Sequence, residues 1–183
     1  SDLVCLADGS ILSSSFDGRV IRWSGAGELA AEVDAGAIVR SIDVDPDGRL
    51  LFGSDAGLLR VVDAVTLEPQ LERDLGARIW SACFIDGGGC VAVLEGGVVR
   101  RLDRDGADVA EEHLDDAREV ASHGEAIIIG GLEGAVTELG GRALAPHGST
   151  VTAMAFSPRG DLLATGSADF SIHLTPRDHE RPR

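Results

Sequence analysis

The sequence predicts an all-β fold of five small antiparallel sheets strung along the chain, and three observations predict it. The first is a period: residues 166–175 can be laid over 14–23, 53–62, 130–139 and, less cleanly, 93–102. The residues that close these stretches, Trp23, Val62, Leu102, Leu139 and Thr175, are 39, 40, 37 and 36 positions apart, a spacing that marks one supersecondary unit repeated in series. The second is a recurring piece upstream of each copy. A short apolar run, a turn rich in Pro, Gly and Asp, and another apolar run recur at 151–164, 39–52 and 79–92, which is a hairpin signal. The third is the lack of a sustained helical period. Residues 107–120 come nearest to one, and Gly106 and the Asp115-Asp116 pair weaken it.

Taken in order, the units span about 1–36, 37–76, 77–117, 118–147 and 148–175. The first opens on an innermost strand at residues 3–6, continues through Val20 to Trp23 and ends on an outer strand at 28–33. The second and third open on the hairpins at 39–52 and 79–92, the latter turning at Asp86-Gly87-Gly88. The fourth carries the copy at 130–139. The fifth opens at Val151, turns at Ser157-Pro158-Arg159-Gly160, turns again at Gly166-Ser167-Ala168-Asp169, and stops after a third strand at Ile172 to Leu174. Residues 176–183, with five charged side chains besides a histidine and two prolines, form a charged tail unsuited to a fourth strand.

Four-stranded units repeating about every forty residues resemble the WD-repeat β-propeller. The resemblance covers essentially the whole chain and is strongest in the fifth unit. In that family a His ahead of the innermost strand, an Asp in the second turn, a Ser or Thr on a strand and a closing Trp form a structural hydrogen-bond network. His147 and Asp169 match two of its members, Thr175 stands where the Trp belongs, and Trp23 in the first unit retains it. Gly96 and Glu133 replace the turn Asp in the third and fourth units. Rings of this family usually hold seven blades, which leaves two arrangements for five units. They close into a small ring with an incomplete last blade, or they form an arc that other chain material completes with about two more blades. The chain's non-Met start and unpaired ends favour the arc.

Composition narrows the function. The 183 residues carry 16 basic and 31 acidic side chains, a net charge of −15, which disfavours nucleic acid and anionic membrane as partners. Cys5, Cys83 and Cys90 are odd in number and lack CxxC spacing, as expected of a reduced, cytoplasmic protein. No catalytic, cofactor-binding or metal site is expected. Asp43-x-Asp45-x-Asp47-Gly48 imitates the opening of a calcium loop but has Ser54 where a bidentate Glu is needed. Gly25-Ala26-Gly27 half-matches a dinucleotide fingerprint without opening a helix. Of the histidines, only His123, placed near the axis of the fourth unit, is a conceivable ligand.

The resemblance implies a recognition function: a non-enzymatic scaffold or docking module, a complex subunit in a bacterial or archaeal cytoplasm. A second reading is the sensing or substrate-docking part of a larger kinase or protease, and a third a hydrolase or lyase with an axial site. In the family, partners dock on the face carrying the second turns and the starts of the innermost strands, positions held here by Phe16, Asp55, Glu95, Leu132 and Ala168, with Arg40, Arg78 and Trp80 beside them. Exposed Phe, Trp and Arg compose interface hot spots, and the acidic surround favours basic partner segments. Trp80 shares strand parity with Ala82 and Phe84, so packing between blades competes with docking for its side chain.

Overall fold

Short turns between apolar runs leave each strand no choice but to return antiparallel beside its predecessor. The computed structural model describes residues 2–177. Among them, nineteen strands form five sheets, each paired in sequence order. The first comprises β1 (Leu3–Cys5), β2 (Ile11–Ser14), β3 (Arg19–Trp23) and β4 (Leu29–Asp34), and the second β5 (Val39–Val44), β6 (Arg49–Ser54), β7 (Leu58–Asp63) and β8 (Pro69–Asp74). The third comprises β9 (Ile79–Phe84), β10 (Cys90–Leu94), β11 (Val98–Leu102) and β12 (Asp108–His113), with a 3-10 turn at Asp86–Gly88. The fourth comprises β13 (Ala117–His123), β14 (Ala126–Gly131), β15 (Val136–Glu138) and β16 (Arg142–Ala143). The fifth has three strands, β17 (Val151–Phe156), β18 (Leu162–Ser167) and β19 (Ile172–Pro176).

The helix-like stretch 107–120 is therefore divided between β12 and β13, its would-be helical face broken by the turn at Asp115-Asp116. Turn chemistry fixes how closely successive sheets approach. Gly57 has φ 84°, and a Cβ there would sit 3.0 Å from the Ala77 carbonyl oxygen, so the loop into the third sheet lies directly on a position only glycine fills without strain.

The second, third and fourth sheets bury both faces against neighbours, and the first and fifth bury one each. Leu12, Val20, Ile42, Leu50 and Phe52 fill the space between the first and second sheets. Leu51, Leu59, Val61, Ile79, Ala92 and Leu94 fill that between the second and third. Val91, Val93, Val99, Val120, Ile127 and Ile129 follow, and the last junction is the thinnest, built on Ile128, Val136, Val151 and Leu163. Each fully buried Leu or Ile contributes about 1.5–3 kcal/mol.

Side chains also stitch neighbouring inner strands together. Ile42 N–H donates to Asp2 Oδ2 (3.3 Å), Ala82 N–H to Ser41 Oγ (3.0 Å), Phe84 N–H to Asp43 Oδ2 (2.8 Å) and Val120 N–H to Ser81 Oγ (3.3 Å). The circle is open. On the first sheet, the face turned from the second exposes Leu3, Ile11 and Leu29; on the fifth, the face turned from the fourth exposes Ile172 and Leu174. Arg177, just past β19, reaches back to Glu138 on β15 (2.7 Å). The rest of the tail lies outside the described residues.

A candidate docking face built on bulged inner strands

The inner strands share one irregularity. In β5 the pairing steps from Val39 to Ser41, in β9 from Ile79 to Ser81, in β13 from Ala117 to Glu119 and in β17 from Val151 to Ala153. The extra residues are Arg40, Trp80, Arg118 and Thr152. A bulge of this kind re-aims a side chain that strict alternation would send into the core. It explains why Ile79 and Ala82, three apart, face the same side, toward the second sheet, whereas Trp80 packs against the cluster between the third and fourth sheets. The parity that would bury Trp80 beside Ala82 and Phe84 does not hold, because the bulge lies between them.

Four consecutive sheets thus present their extra residue on one face of the arc, and three of these residues meet. The guanidinium carbon of Arg118 lies 3.9 Å from the centre of the Trp80 ring, that of Arg78 4.8 Å and that of Arg40 5.0 Å. Arg40 also lies 5.2 Å from the ring of Phe16, which is exposed on the β2–β3 turn. All four distances fall within cation–π range. Asp55 holds two of the cations: Arg40 donates to it through Nε (2.8 Å) and Nη2 (3.0 Å), and Arg78 Nε lies 3.3 Å away. Arg78 Nη1 also donates to Glu95 (3.3 Å). The turn that carries Asp55 is pinned by its N–H to Ile38 O (2.9 Å), and Glu95, Leu132 and Ala168 are pinned in the same way to Arg78, Asp116 and Thr150 carbonyls.

Six of the expected positions, Phe16, Arg40, Asp55, Arg78, Trp80 and Glu95, therefore form one connected cluster. Leu132 and Ala168 are exposed at the equivalent turns of the fourth and fifth sheets, farther along the same face. Arg118 is absent from the sequence-derived set although it is the closest cation to Trp80. Its signal was legible: an apolar pair three apart flanks each bulge, as Val39/Ile42, Ile79/Ala82, Ala117/Val120 and Val151/Met154. In the fourth unit, the helix-like pattern hid where that strand begins.

The structural network lies at the other end of the chain. His147, buried, places Nδ1 2.8 Å from Ser171 Oγ and Nε2 2.8 Å from Thr165 Oγ1. Asp169 accepts from the Ser171 hydroxyl (2.6 Å) and the Gly148 N–H (2.6 Å), which holds its carboxyl well below the usual range. The His173 ring stacks on His147, centroids 4.0 Å apart and planes 12° apart. Trp23, in the first sheet, donates its indole N–H to Ser13 Oγ (2.9 Å).

Between the inner strands runs an axial cavity of about 500 Å³, lined by residues of all five sheets, with Arg40 and Thr152 among them. Glu119 faces it, and burial pushes its carboxyl up to about 7 despite the Ser81 hydroxyl and Arg118 beside it. His123, the last residue of β13, instead lines a cleft near the first turns of the second and third sheets. The three carboxylates of the calcium-like run are each committed elsewhere: Asp43 to Phe84 N–H, Asp45 to Arg49 and Asp47 to Arg104. Among the described residues no group of His, Cys, Asp and Glu converges as a metal site.

The family described as WD domain, G-beta repeat matches residues 141–174. No curated protein sequence matches the chain. Among solved structures, the β-propeller domain of Cps50 (Swd1) from Myceliophteria thermophila superposes with a TM-score of 0.84 at 13% identity, over 98% of this chain and 66% of that one. BamB from Moraxella catarrhalis superposes with a TM-score of 0.72 at 18% identity, over 96% of this chain and 57% of that one. The chain thus spans less than two thirds of either structure. No helix among the described residues is long and apolar enough to cross a membrane. Five sequentially paired sheets around an axis, left open between the fifth and the first, give this chain the fold of a β-propeller arc whose last blade matches the WD repeat.

Proposed function

We propose that the chain is a non-catalytic protein-interaction scaffold that docks partners on the face carrying Phe16, Arg40, Trp80 and Arg118. The observation that carries this reading is the repeated bulge. Four blades in a row use a backbone irregularity to lift their innermost residue onto one rim, and the lifted residues are Arg, Trp, Arg and Thr. Trp and Arg dominate interface hot spots because they combine large buried area with directed polar contacts. The unpaired cysteines, Cys5 exposed and Cys83 and Cys90 buried, support a reducing cytoplasmic setting. Burial pushes the Cys90 thiol up to about 12, which leaves it inert.

The test is to compare the proteins retained from a native lysate by the chain and by a Phe16→Ala/Trp80→Ala variant whose circular dichroism is unchanged. A polypeptide retained in stoichiometric amount by the first and lost by the second supports the docking face. Equal retention by both refutes it.

A second reading rests on the two bare end faces. In a complete ring each would lie against another blade, and rings of this type hold about four to eight. The third of the Cps50 (Swd1) domain that the chain does not cover is the length of about two blades. Further chain material of that size, from the same polypeptide or from a partner, would cover Leu3 and Ile11 at one end and Ile172 and Leu174 at the other. Sedimentation of the isolated chain decides it: a stable, monodisperse monomer that binds no apolar dye refutes the need for completion.

A further inference from the structure

We infer that the Trp80 cluster recognises a carboxylate on an acidic segment of a protein partner, with Arg118 as the ion-pairing group. This rests on the docking reading above and gives it a chemistry, opposite in sign to the basic segments that the overall charge of −15 suggests.

Arg118 is the cation of this cluster that no carboxylate holds by an ion pair or hydrogen bond among the described residues. Arg40 and Arg78 both reach Asp55, and Arg78 also reaches Glu95. Arg118 makes no ion pair and donates no hydrogen bond to any described residue; its one close partner is the Trp80 ring. It is half-buried, and partial desolvation together with the like charges of Arg40 and Arg78 lowers its proton affinity, against the attraction of Glu119 and Asp55. A guanidinium in that position carries an electrostatic cost that an incoming carboxylate relieves, and its planar fork matches a carboxylate in two parallel hydrogen bonds. Lying over the indole ring, the guanidinium keeps its N–H groups accessible to solvent, where they can donate.

Charge and shape together select the occupant. Three guanidiniums interleaved with Asp55 and Glu95 leave at most one positive charge, which Glu119 beside Arg118 offsets only in part because burial favours its protonated form. That is enough for a single carboxylate and too little for a phosphate backbone, which needs several cations in a row. Phe16 and Leu132, exposed on the same face, offer apolar contact on either side. A short peptide segment alternating acidic and apolar side chains fits that pattern.

The experiment measures binding of the full chain to three end-capped octapeptides by fluorescence anisotropy: glutamate alternating with leucine, then glutamine or lysine in place of glutamate. A single-stranded oligonucleotide serves as the polyanion probe. The expected result is that the glutamate peptide binds at least about tenfold tighter than the glutamine and lysine peptides and the oligonucleotide, and that Arg118→Gln removes that preference. Trp80 emission should change on binding. Failure of the glutamate peptide to bind at millimolar concentration, preference for the lysine peptide or the oligonucleotide, or indifference to a folded Arg118→Gln variant overturns the inference. Where that variant does not fold, the glutamate-against-glutamine comparison on the unaltered chain decides alone. Should lysate partners still depend on Trp80 while the glutamate peptide does not bind, the docking face stands and its acidic preference falls.

Discussion

The second and fifth sheets are built to one pattern and end in different environments. Leu59 pairs with Gly53 on the second, and Ile172 pairs with Gly166 at the same register on the fifth. Leu59 is 1% exposed and Ile172 75%. At the other end of the arc, Ile42 of the second sheet is 4% exposed and its counterpart Leu3 on the first 68%. The strands are equally apolar, so the difference comes entirely from whether a further sheet lies against them. In a propeller the blade supplies the apolar face and its neighbour supplies the burial.

The largest test of that contrast is a matched pair of truncations. Leu59→Ala, inside the cluster between the second and third sheets, should cost about 3 kcal/mol, whereas Ile172→Ala should shift stability by no more than about 0.5 kcal/mol. Urea unfolding of both variants measures it. Equal losses would mean that something covers the fifth sheet in solution.

A second test moves the comparison to the inner wall. Asp2, Ser41 and Ser81 each accept an N–H from the next inner strand, but Glu119, next in that series, is engaged with the Ser81 hydroxyl behind it and is pushed up to about 7 by burial. Its unfolded value is near 4.5, so the native state holds a proton that the unfolded chain releases between pH 4.5 and 7. Stability from this group is therefore complete below pH 4.5, declines as pH rises toward 7 and stays low above it. Glu119→Gln should remove that decline and leave the protein about 3 kcal/mol more stable than wild type at pH 8. Urea melts of both proteins at pH 5 and pH 8 measure the difference; a gap that does not widen with pH contradicts the buried-acid description.

Why the sequence revealed the sheets but not the whole docking cluster follows from what each depends on. Pairing within a sheet is local: turns such as Asp45-Pro46-Asp47-Gly48 and alternating runs such as β6 and β7 determine it within about twenty residues. Phe16, Arg40, Asp55 and Trp80 were found because they occupy repeat positions that alignment of the units exposes. The meeting of Arg118 with Trp80 depends on a bulge, which alternation alone does not reveal, and on a fourth unit whose β15 and β16 are only three and two residues long. The packing of Trp80 toward the fourth sheet was lost for the same reason, since one extra residue reverses the parity of all that precede it. Nor could the openness of the arc be read from any single unit, because a blade at an end is written in the same apolar code as one in the middle.

A smaller effect separates the two environments at a single atom. A Cβ on Gly53 would lie 2.4 Å from Ile79 Cγ2, and one on Gly166, at the matching register, would find its nearest neighbour at 4.0 Å. Gly53→Ala should cost about 1–2 kcal/mol through overpacking, and Gly166→Ala no more than a few tenths, about the value of a surface change. Thermal melts of the two variants suffice, and a comparable loss at Gly166 would place a neighbour against the fifth sheet.

The smallest effect probes the stitches between inner strands. Removing the Ser41 hydroxyl leaves the Ala82 N–H without its 3.0 Å acceptor in the wall between two sheets, and Ser41→Ala should cost about 1 kcal/mol. Ala153 occupies the corresponding place on the fifth sheet and has no side chain to offer a following strand. Ala153→Ser therefore adds a hydroxyl that faces solvent, and its expected effect on the isolated chain is close to zero. In the presence of whatever completes the ring, that hydroxyl would meet a backbone N–H as Ser41 does. A stabilisation of the assembled form by Ala153→Ser, with none in the isolated chain, would then show that the missing neighbour pairs through an inner strand in the register the first four sheets already use. No gain in either form would mean that whatever covers the fifth sheet is not another blade.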